Sequence, residues 1–187
     1  MKSCGYVTTK LSISKEECIK KYLMNYRIIN NEVTAEILQE SKKEDNIGRY
    51  VPYAVTAIEL DPKNDDIVLA NGIVFNTLPI DQFPQKFHVN SSFSLKKSRK
   101  SINLAGYLEE KQSFKNLWNL FLFRDVITDS LLELLKFLIK ISNGREIKNY
   151  HEIFPTDDNL GNHFMKKIEN EKIFYSKTGK YIQKKIF

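Results

Sequence analysis

Two adjacent carboxylates and two tyrosines are the residues of this chain whose types suit acid–base chemistry. Glu109 and Glu110 end a run of β-forming residues at 101–110, so we interpret them as carboxylates at the end of a strand. A carboxylate there can act as a general base, and the hydroxyl of Tyr107 or Tyr175 can protonate a leaving group. These four are our candidate catalytic residues. The competing interpretation is a solvated strand end with tyrosines that only pack.

Other catalytic signatures are missing from the sequence. His88, His151 and His163 do not have metal-ligand spacing, and Cys4 and Cys18 are too far apart to share a zinc ion. There is no Gly-x-Ser-x-Gly nucleophile motif, Walker phosphate loop or paired-cysteine motif. We therefore predict no metal cofactor.

The chain is basic, with a formal net charge of +6 and a pI of about 9.1. This charge predicts affinity for nucleic acid, a membrane surface, a nucleotide cofactor or an acidic protein, although lysine-rich surfaces also keep proteins soluble. The sequence shows no disulfide framework, no signal-peptide core and no apolar run of about 18 residues. We therefore predict a cytoplasmic protein without a membrane span.

Two clusters of basic residues are candidates for phosphate binding. One is Lys-Lys-Ser-Arg-Lys at 96–100, and the other is the tail from Lys166, which holds seven lysines against Glu169 and Glu171. Aromatic residues interleave the tail, as in proteins that bind single strands. They are Phe174, Tyr175 and Tyr181. The same alternation is typical of a terminal hairpin with a polar outer face.

A mixed α/β domain with a mostly antiparallel sheet and helices on both faces is the fold that the predicted elements favour. The first half contains a strand at 4–13, helices at 14–28 and 33–41, and strands at 53–60 and 66–75. Pro79 and Pro84 predict an irregular insertion at about 76–100, and such insertions are often functional. The second half contains a strand at 101–110, a helix from Thr128, a strand at 146–154, a helix at 155–170 and a terminal hairpin. Whether 114–127 is strand or helix stays open, because both of its faces are apolar.

The predicted helix at 155–170 resembles the signature helix of the GNAT superfamily of N-acyltransferases. Asp158 matches the polar start of that motif and Gly161 its small residue. Phe164 and Lys167 match its first aromatic residue and its lysine, with an isoleucine in place of the next leucine. The order of predicted elements also resembles that family over nearly the whole chain.

The resemblance implies a single GNAT-like domain at 1–187 that transfers an acyl group from acyl-CoA or acyl carrier protein to an amine. The insertion at 76–100 is similar to that of the acyl-homoserine-lactone and N-acyl amino acid synthases, whose donor is the acidic acyl carrier protein. A basic surface would steer such a partner. The residues that the resemblance implies for donor binding are Arg124, Thr128, Ser130, Asn159 and Phe164.

The chain departs from the family pattern at positions that the family uses for catalysis and for binding its cofactor. Met165 stands in place of a tyrosine acid. Ile127 and Asp129 stand in place of glycines in the pyrophosphate loop, and Asp129 would repel a diphosphate by ~4 kcal/mol at ~4 Å and an effective dielectric constant near 20. Two hypotheses result. The favoured one is an acyltransferase with a degenerate donor loop, and the other is an inactive GNAT-fold protein that binds a protein or a nucleic acid.

Overall fold

The computed structural model of the chain describes residues 2–13, 16–29, 39, 50–102, 113–156, 160–176 and 179–183. The fold is mixed α and β, with a mostly antiparallel sheet, which confirms the predicted class. Within these described residues the sheet has six strands: β1 (Lys2–Ile13), β2 (Glu16–Ile28), β3 (Tyr53–Leu60), β4 (Gly72–Asn76), β5 (Leu78–Phe83) and β6 (His88–Ser91). Their order across the sheet is β1-β2-β3-β6-β4-β5, and β4 and β6 are parallel.

The helix predicted at 14–28 is wrong, because most of this stretch forms strand β2. β2 pairs antiparallel with both β1 and β3. Its side chains alternate, so that Leu23 and Asn25 are buried while Tyr22 and Tyr26 are only half-buried. Pairing on both edges outweighs the local helix-capping signal. The helix predicted at 33–41 lies outside the described residues, except that position 39 is helical.

The predicted strand at 53–60 is confirmed as β3, whereas the strand predicted at 66–75 is shorter than expected. In residues 66–71 the pairing is limited to a bridge between Ile67 and Leu60 of β3, and the regular strand β4 begins at Gly72. The segment at 76–100 is not irregular throughout, because it contains β5 and β6. β6 is four residues long and its partners are distant in sequence, so local composition does not reveal it. The strand predicted at 101–110 lies outside the described residues beyond position 102.

One continuous helix occupies 114–141, so the ambiguous segment at 114–127 is helical. It consists of α1 (Phe114–Phe121), a π-helical stretch (Leu122–Ile127) and α2 (Thr128–Ile141). The hydroxyl of Thr128 donates to the carbonyl of Phe123, five residues earlier, at 2.7 Å, which fits a π-helical turn. We refer to residues 114–141 as the long helix.

The core lies between the long helix and one face of the sheet. From the sheet it contains Leu23, Ile58, Leu60 and Val89, and from the long helix Trp118, Leu122, Leu131 and Leu135. Each of these side chains is almost completely shielded from water. Burying one such side chain contributes about 1.5–3 kcal/mol, so this layer holds the helix on the sheet.

The last part of the chain confirms two predicted elements and corrects a third. The helix α3 (Leu160–Ile168) lies within the predicted range 155–170 but is shorter, and the predicted terminal hairpin is present as β7 (Phe174–Tyr175) and β8 (Tyr181–Ile182). The strand predicted at 146–154 is wrong, because it is a loop with a 3-10 turn at Tyr150–Ile153. Its buried residues fall at a spacing of three, which suits that turn rather than a strand.

Candidate functional site

Most of the predicted catalytic residues lie outside the part of the chain that the structure describes. These are Tyr107, Glu109 and Glu110, together with Asn159 of the implied donor site. Tyr175 is described, and it lies on β7. Its ring packs edge-on against the ring of Tyr181 at 5.0 Å between centroids, so its observed contact is an aromatic one within the terminal hairpin.

The remaining donor-site residues lie on the long helix and on α3. Arg124, Thr128 and Ser130 belong to the long helix, and Phe164 of α3 is completely buried against Phe154. The resemblance implied an open loop at the start of a helix. Arg124 and Thr128 instead lie within a helix that begins at Phe114, where backbone N–H groups are engaged in helical hydrogen bonds.

Ser130 takes part in a buried hydrogen-bond network that joins the long helix to the sheet. Asn25 Nδ2 donates to both the carbonyl oxygen and the hydroxyl of Ser130, each at 2.9 Å. The hydroxyl of Thr56 lies 2.9 Å from the same hydroxyl. All three residues are at most 1% exposed. Such a satisfied buried network fixes the position of the helix on the sheet.

Asp129 is neutralised by two cations from other elements. Arg27 Nη2 of β2 lies 2.7 Å from one carboxylate oxygen, and Lys167 Nζ of α3 lies 2.5 Å from the other. The same ammonium group is 3.7 Å from the carboxylate of Asp125. Lys167, which the resemblance matched to a motif lysine, therefore binds Asp129, at a position where the resemblance implied a glycine. This ion-pair network joins β2, α2 and α3.

The basic cluster at 96–100 is displayed by a tight hairpin at 95–102, which we call the basic hairpin. Its first and last residues pair as an antiparallel bridge. The backbone N–H of Lys96 donates to the carbonyl of Ser101 at 3.0 Å, and that of Arg99 donates to the carbonyl of Lys96 at 2.8 Å. Arg99 has a φ of 56°, a left-handed conformation that a non-glycine residue adopts at a cost. The basic side chains of this hairpin are exposed.

Two side chains of α1 hold the start of the basic hairpin. Trp118 Nε1 donates to the carbonyl of Ser92 at 2.7 Å. The amide of Asn119 both accepts from the N–H of Ser94 and donates to its carbonyl, each at 2.8 Å. Trp118 and Asn119 are completely buried. The basic hairpin is therefore attached to a rigid part of the fold.

Lys115 lies on α1 one helical turn before Asn119, on the side of the helix that the basic hairpin contacts. It completes an open pocket of about 560 Å³. In the described part of the chain this pocket is lined by Leu95, Lys96, Lys97, Arg99 and Lys115. The charged groups among these five residues are all cations, so their combined field favours an anion.

The position of Lys115 is unfavourable for the isolated helix. Ser113 caps α1 by accepting a hydrogen bond from the N–H of Asn116, so Lys115 stands in the first turn. The positive end of the helix dipole repels a cation there, and this first turn contains no acidic residue. An anion bound in the pocket would relieve that repulsion, because helix N-termini and lysines both attract phosphate.

Comparison with known proteins does not identify a family for this chain. No protein-family model, no curated protein and no solved structure matches it. Among the residues with described positions, no group of histidine, cysteine, aspartate or glutamate could hold a metal ion. No helix in the same set is long and apolar enough to cross a membrane.

Sequence reasoning found one part of this pocket and missed another. The cluster at 96–100 is a phosphate site predicted from the sequence, whereas Lys115 is not part of that prediction. The available signal was a lysine in the first turn of a helix that has no acidic residue there. The sequence leaves open whether 114–127 is strand or helix, so it does not show that Lys115 stands in the first turn of a helix.

Proposed function

We propose that this chain is a nucleic-acid-binding protein whose basic hairpin and Lys115 bind the phosphate backbone. The observation that carries the proposal is the convergence of cations from two separate elements on one pocket. Like charges repel, and a fold that brings them together without an acid among the described lining residues gains free energy when a polyanion binds.

The geometry favours a polymer over a single small anion. The pocket is open, and the basic hairpin carries a further exposed cation, Lys100, beside those that line the pocket. A nucleic acid offers successive phosphates to such an extended surface. The net charge of +6 adds a long-range attraction that raises the rate of encounter.

The test is fluorescence anisotropy with a labelled oligonucleotide over a range of salt concentrations. Lys97→Gln combined with Arg99→Gln should weaken binding at low salt by about tenfold or more. It should also make the slope of log K against log salt shallower by about 1.5, because two phosphate contacts are lost. Nitrocellulose-filter binding at one salt concentration would not separate these two effects.

A matched control removes the same charge elsewhere. Lys63 and Lys148 are exposed and lie outside the pocket, so Lys63→Gln combined with Lys148→Gln changes net charge equally. This control should leave affinity within about twofold, because neither lysine lines the pocket. Equal loss in both double variants, or no binding by the unmodified protein at low salt, would refute the proposal.

Acyl transfer is a second candidate function, in which the same pocket takes the phosphates of acyl-CoA. The supporting observation is that residues 103–112, which include Glu109 and Glu110, connect the basic hairpin to α1 along the chain. The segment that carries the candidate bases is therefore joined at both ends to elements that build the pocket. Calorimetric titration with acyl-CoA and with acyl carrier protein tests this function, and absence of binding to both would exclude it.

A further inference from the structure

Five ring side chains share the face of the sheet that is turned away from the long helix. They are Tyr22 and Tyr26 of β2, Tyr53 of β3, Phe75 of β4 and His88 of β6. The strand registers place them together: Tyr26 pairs with Val55, which pairs with Asn90, which pairs with Phe75. Each of the five rings is half-buried. We call this surface the aromatic face.

The rings of the aromatic face are close enough to support one another. Tyr22 and His88 lie 5.7 Å apart between centroids, and His88 and Phe75 lie 6.4 Å apart. Tyr26 and Tyr53 form a second pair at 6.3 Å. Aromatic pairs at such distances are attractive and hold each other in place.

Polar contacts also fix these rings. The hydroxyl of Tyr53 lies 3.5 Å from Asn90 Oδ1, which also accepts from the backbone N–H of Thr77 at 3.3 Å. His88 Nδ1 accepts from the backbone N–H of Ile73 at 3.1 Å. The rings are therefore presented by a rigid surface, which lowers the entropic cost of stacking a ligand on them.

The basic hairpin follows the aromatic face closely along the chain. β6 carries His88 and Asn90, and the chain from its end passes through residues 92–94 into the hairpin at Leu95. Five residues from Asn90 to Leu95 span at most ~17 Å of extended chain. A single strand of a few nucleotides covers this distance, and it must pass around the end of β6, because Lys115 of the pocket belongs to the long helix on the other side of the sheet.

We propose that the aromatic face stacks the unpaired bases of a single-stranded nucleic acid while the basic hairpin holds its phosphates. This inference rests on the proposed function and adds the class of nucleic acid. Single strands expose the flat faces of their bases to aromatic side chains, and this stacking tolerates any sequence. A duplex keeps its bases stacked internally, so it would use the cations alone.

The ion pair on the aromatic face argues against a protein partner there. Lys20 Nζ lies 3.1 Å from the carboxylate of Glu59, whose register partner on β2 is Tyr22. The face is therefore a mixture of rings, charges and amides, not the apolar centre that a tight protein interface needs. Bases offer both a flat ring and polar edges, and they match this mixture.

The experiment compares a labelled single strand with the duplex of the same sequence. Tyr22→Leu and Tyr53→Leu keep apolar volume but remove the ring, and each should weaken single-strand binding about tenfold without changing the salt slope. Tyr22→Phe and Tyr53→Phe are the matched controls, and they should bind within about twofold of the unmodified protein. Duplex affinity should not change in any of the four.

The outcomes separate this inference from the proposed function. Failure of every nucleic acid to bind would refute both. Binding that depends on Lys97 and Arg99 but is equal for single strand and duplex, and unaffected by the leucine variants, would refute only the stacking inference. That result would leave the aromatic face to another partner, such as a protein.

A measurement on the unmodified protein guards against variants that fail to fold. Photo-crosslinking with a bromouracil-substituted single strand, followed by mass spectrometry, should identify peptides of β2, β3 or β6 that contain Tyr22, Tyr53 or His88. Cross-links confined to the basic hairpin would overturn the inference.

Discussion

Asn119 holds Ser94 by both atoms of its side-chain amide, accepting from the backbone N–H and donating to the carbonyl at 2.8 Å each. This contact joins the buried side of α1 to the segment after β6 that leads into the basic hairpin. Both partners are almost fully buried, so water cannot replace the two bonds. The cations of the hairpin are thereby positioned before any ligand arrives, which favours binding.

Asn119→Leu should lower the free energy of unfolding by about 2–4 kcal/mol, because it leaves a buried N–H and a buried carbonyl of Ser94 without partners. Urea denaturation measures this loss. Asn116 of the same helix is the matched control, because it is buried and its Oδ1 has no hydrogen-bond partner among the residues that the structure describes. Asn116→Leu should be nearly neutral, and an equal cost in both variants would contradict the role given to Asn119.

Lys115→Glu should change stability and binding in opposite directions. In the absence of ligand it should raise the free energy of unfolding by roughly 0.5 kcal/mol, because a carboxylate suits the first turn of α1 better than an ammonium group. Oligonucleotide affinity should fall by about tenfold, because a phosphate contact becomes a repulsion. Thermal unfolding and anisotropy measure the two effects, and a loss of both stability and affinity would show that Lys115 has another role.

Asp129→Asn should destabilise the protein by about 1–3 kcal/mol. Arg27 and Lys167 would keep their charges, and both would lose the carboxylate that they share. Asp125→Asn is the control, because its carboxylate is farther from Lys167, at 3.7 Å, and about half exposed. It should cost less than about 1 kcal/mol. Similar losses by chemical denaturation would mean that the network does not depend on Asp129.

His88 should make the protein less stable in mild acid. Burial lowers the pKa of its imidazole below 6.5, and Lys20 acts in the same direction while Glu59 opposes it. The unfolded chain therefore takes up a proton at a higher pH than the folded chain does. The contribution of His88 to the free energy of unfolding is complete above about pH 6.5. It is lost as the pH falls from that value toward the lower pKa of the folded state. Protonation of Nδ1 would also break its bond from Ile73.

His88→Asn tests this effect, because its amide oxygen can accept from Ile73 but does not titrate. The free energy of unfolding of the unmodified protein should fall relative to that of the variant between pH 7.5 and pH 5.5. His151 and His163 also have lowered pKa values, but they are present in both proteins and cancel in the difference. Parallel stability curves for the two proteins would rule out His88 as the source.

The elements that the sequence predicted well are those whose signals are local. β3, α3 and the terminal hairpin form where alternation, helical periodicity and turn residues act within about 15 residues. β2 was predicted as a helix because a capping signal is local, whereas its pairing with β3 is not. β6 is not predicted from the sequence for the same reason, because a strand of four residues is specified by its neighbours in the sheet.

The candidate site was predictable only in part. A run of basic residues at 96–100 is visible in any reading of the sequence, but its meeting with Lys115 depends on the tertiary contact between Asn119 and Ser94. The aromatic face depends on strand registers that bring Tyr22, Phe75 and His88 together from distant segments. Of the implied donor-site residues, Thr128 and Ser130 use their hydroxyls inside the protein.

The position of β6 has a mechanical consequence. This strand lies between β3 and β4 and is bonded along both edges, and its chain leads directly into the basic hairpin. A pull on a polymer held by that hairpin would act along β6. The force would shear the hydrogen bonds of two neighbouring strands at once, whereas an edge strand would peel away one bond at a time. A ligand under tension would therefore be held through an interior strand of the sheet and not through an edge strand.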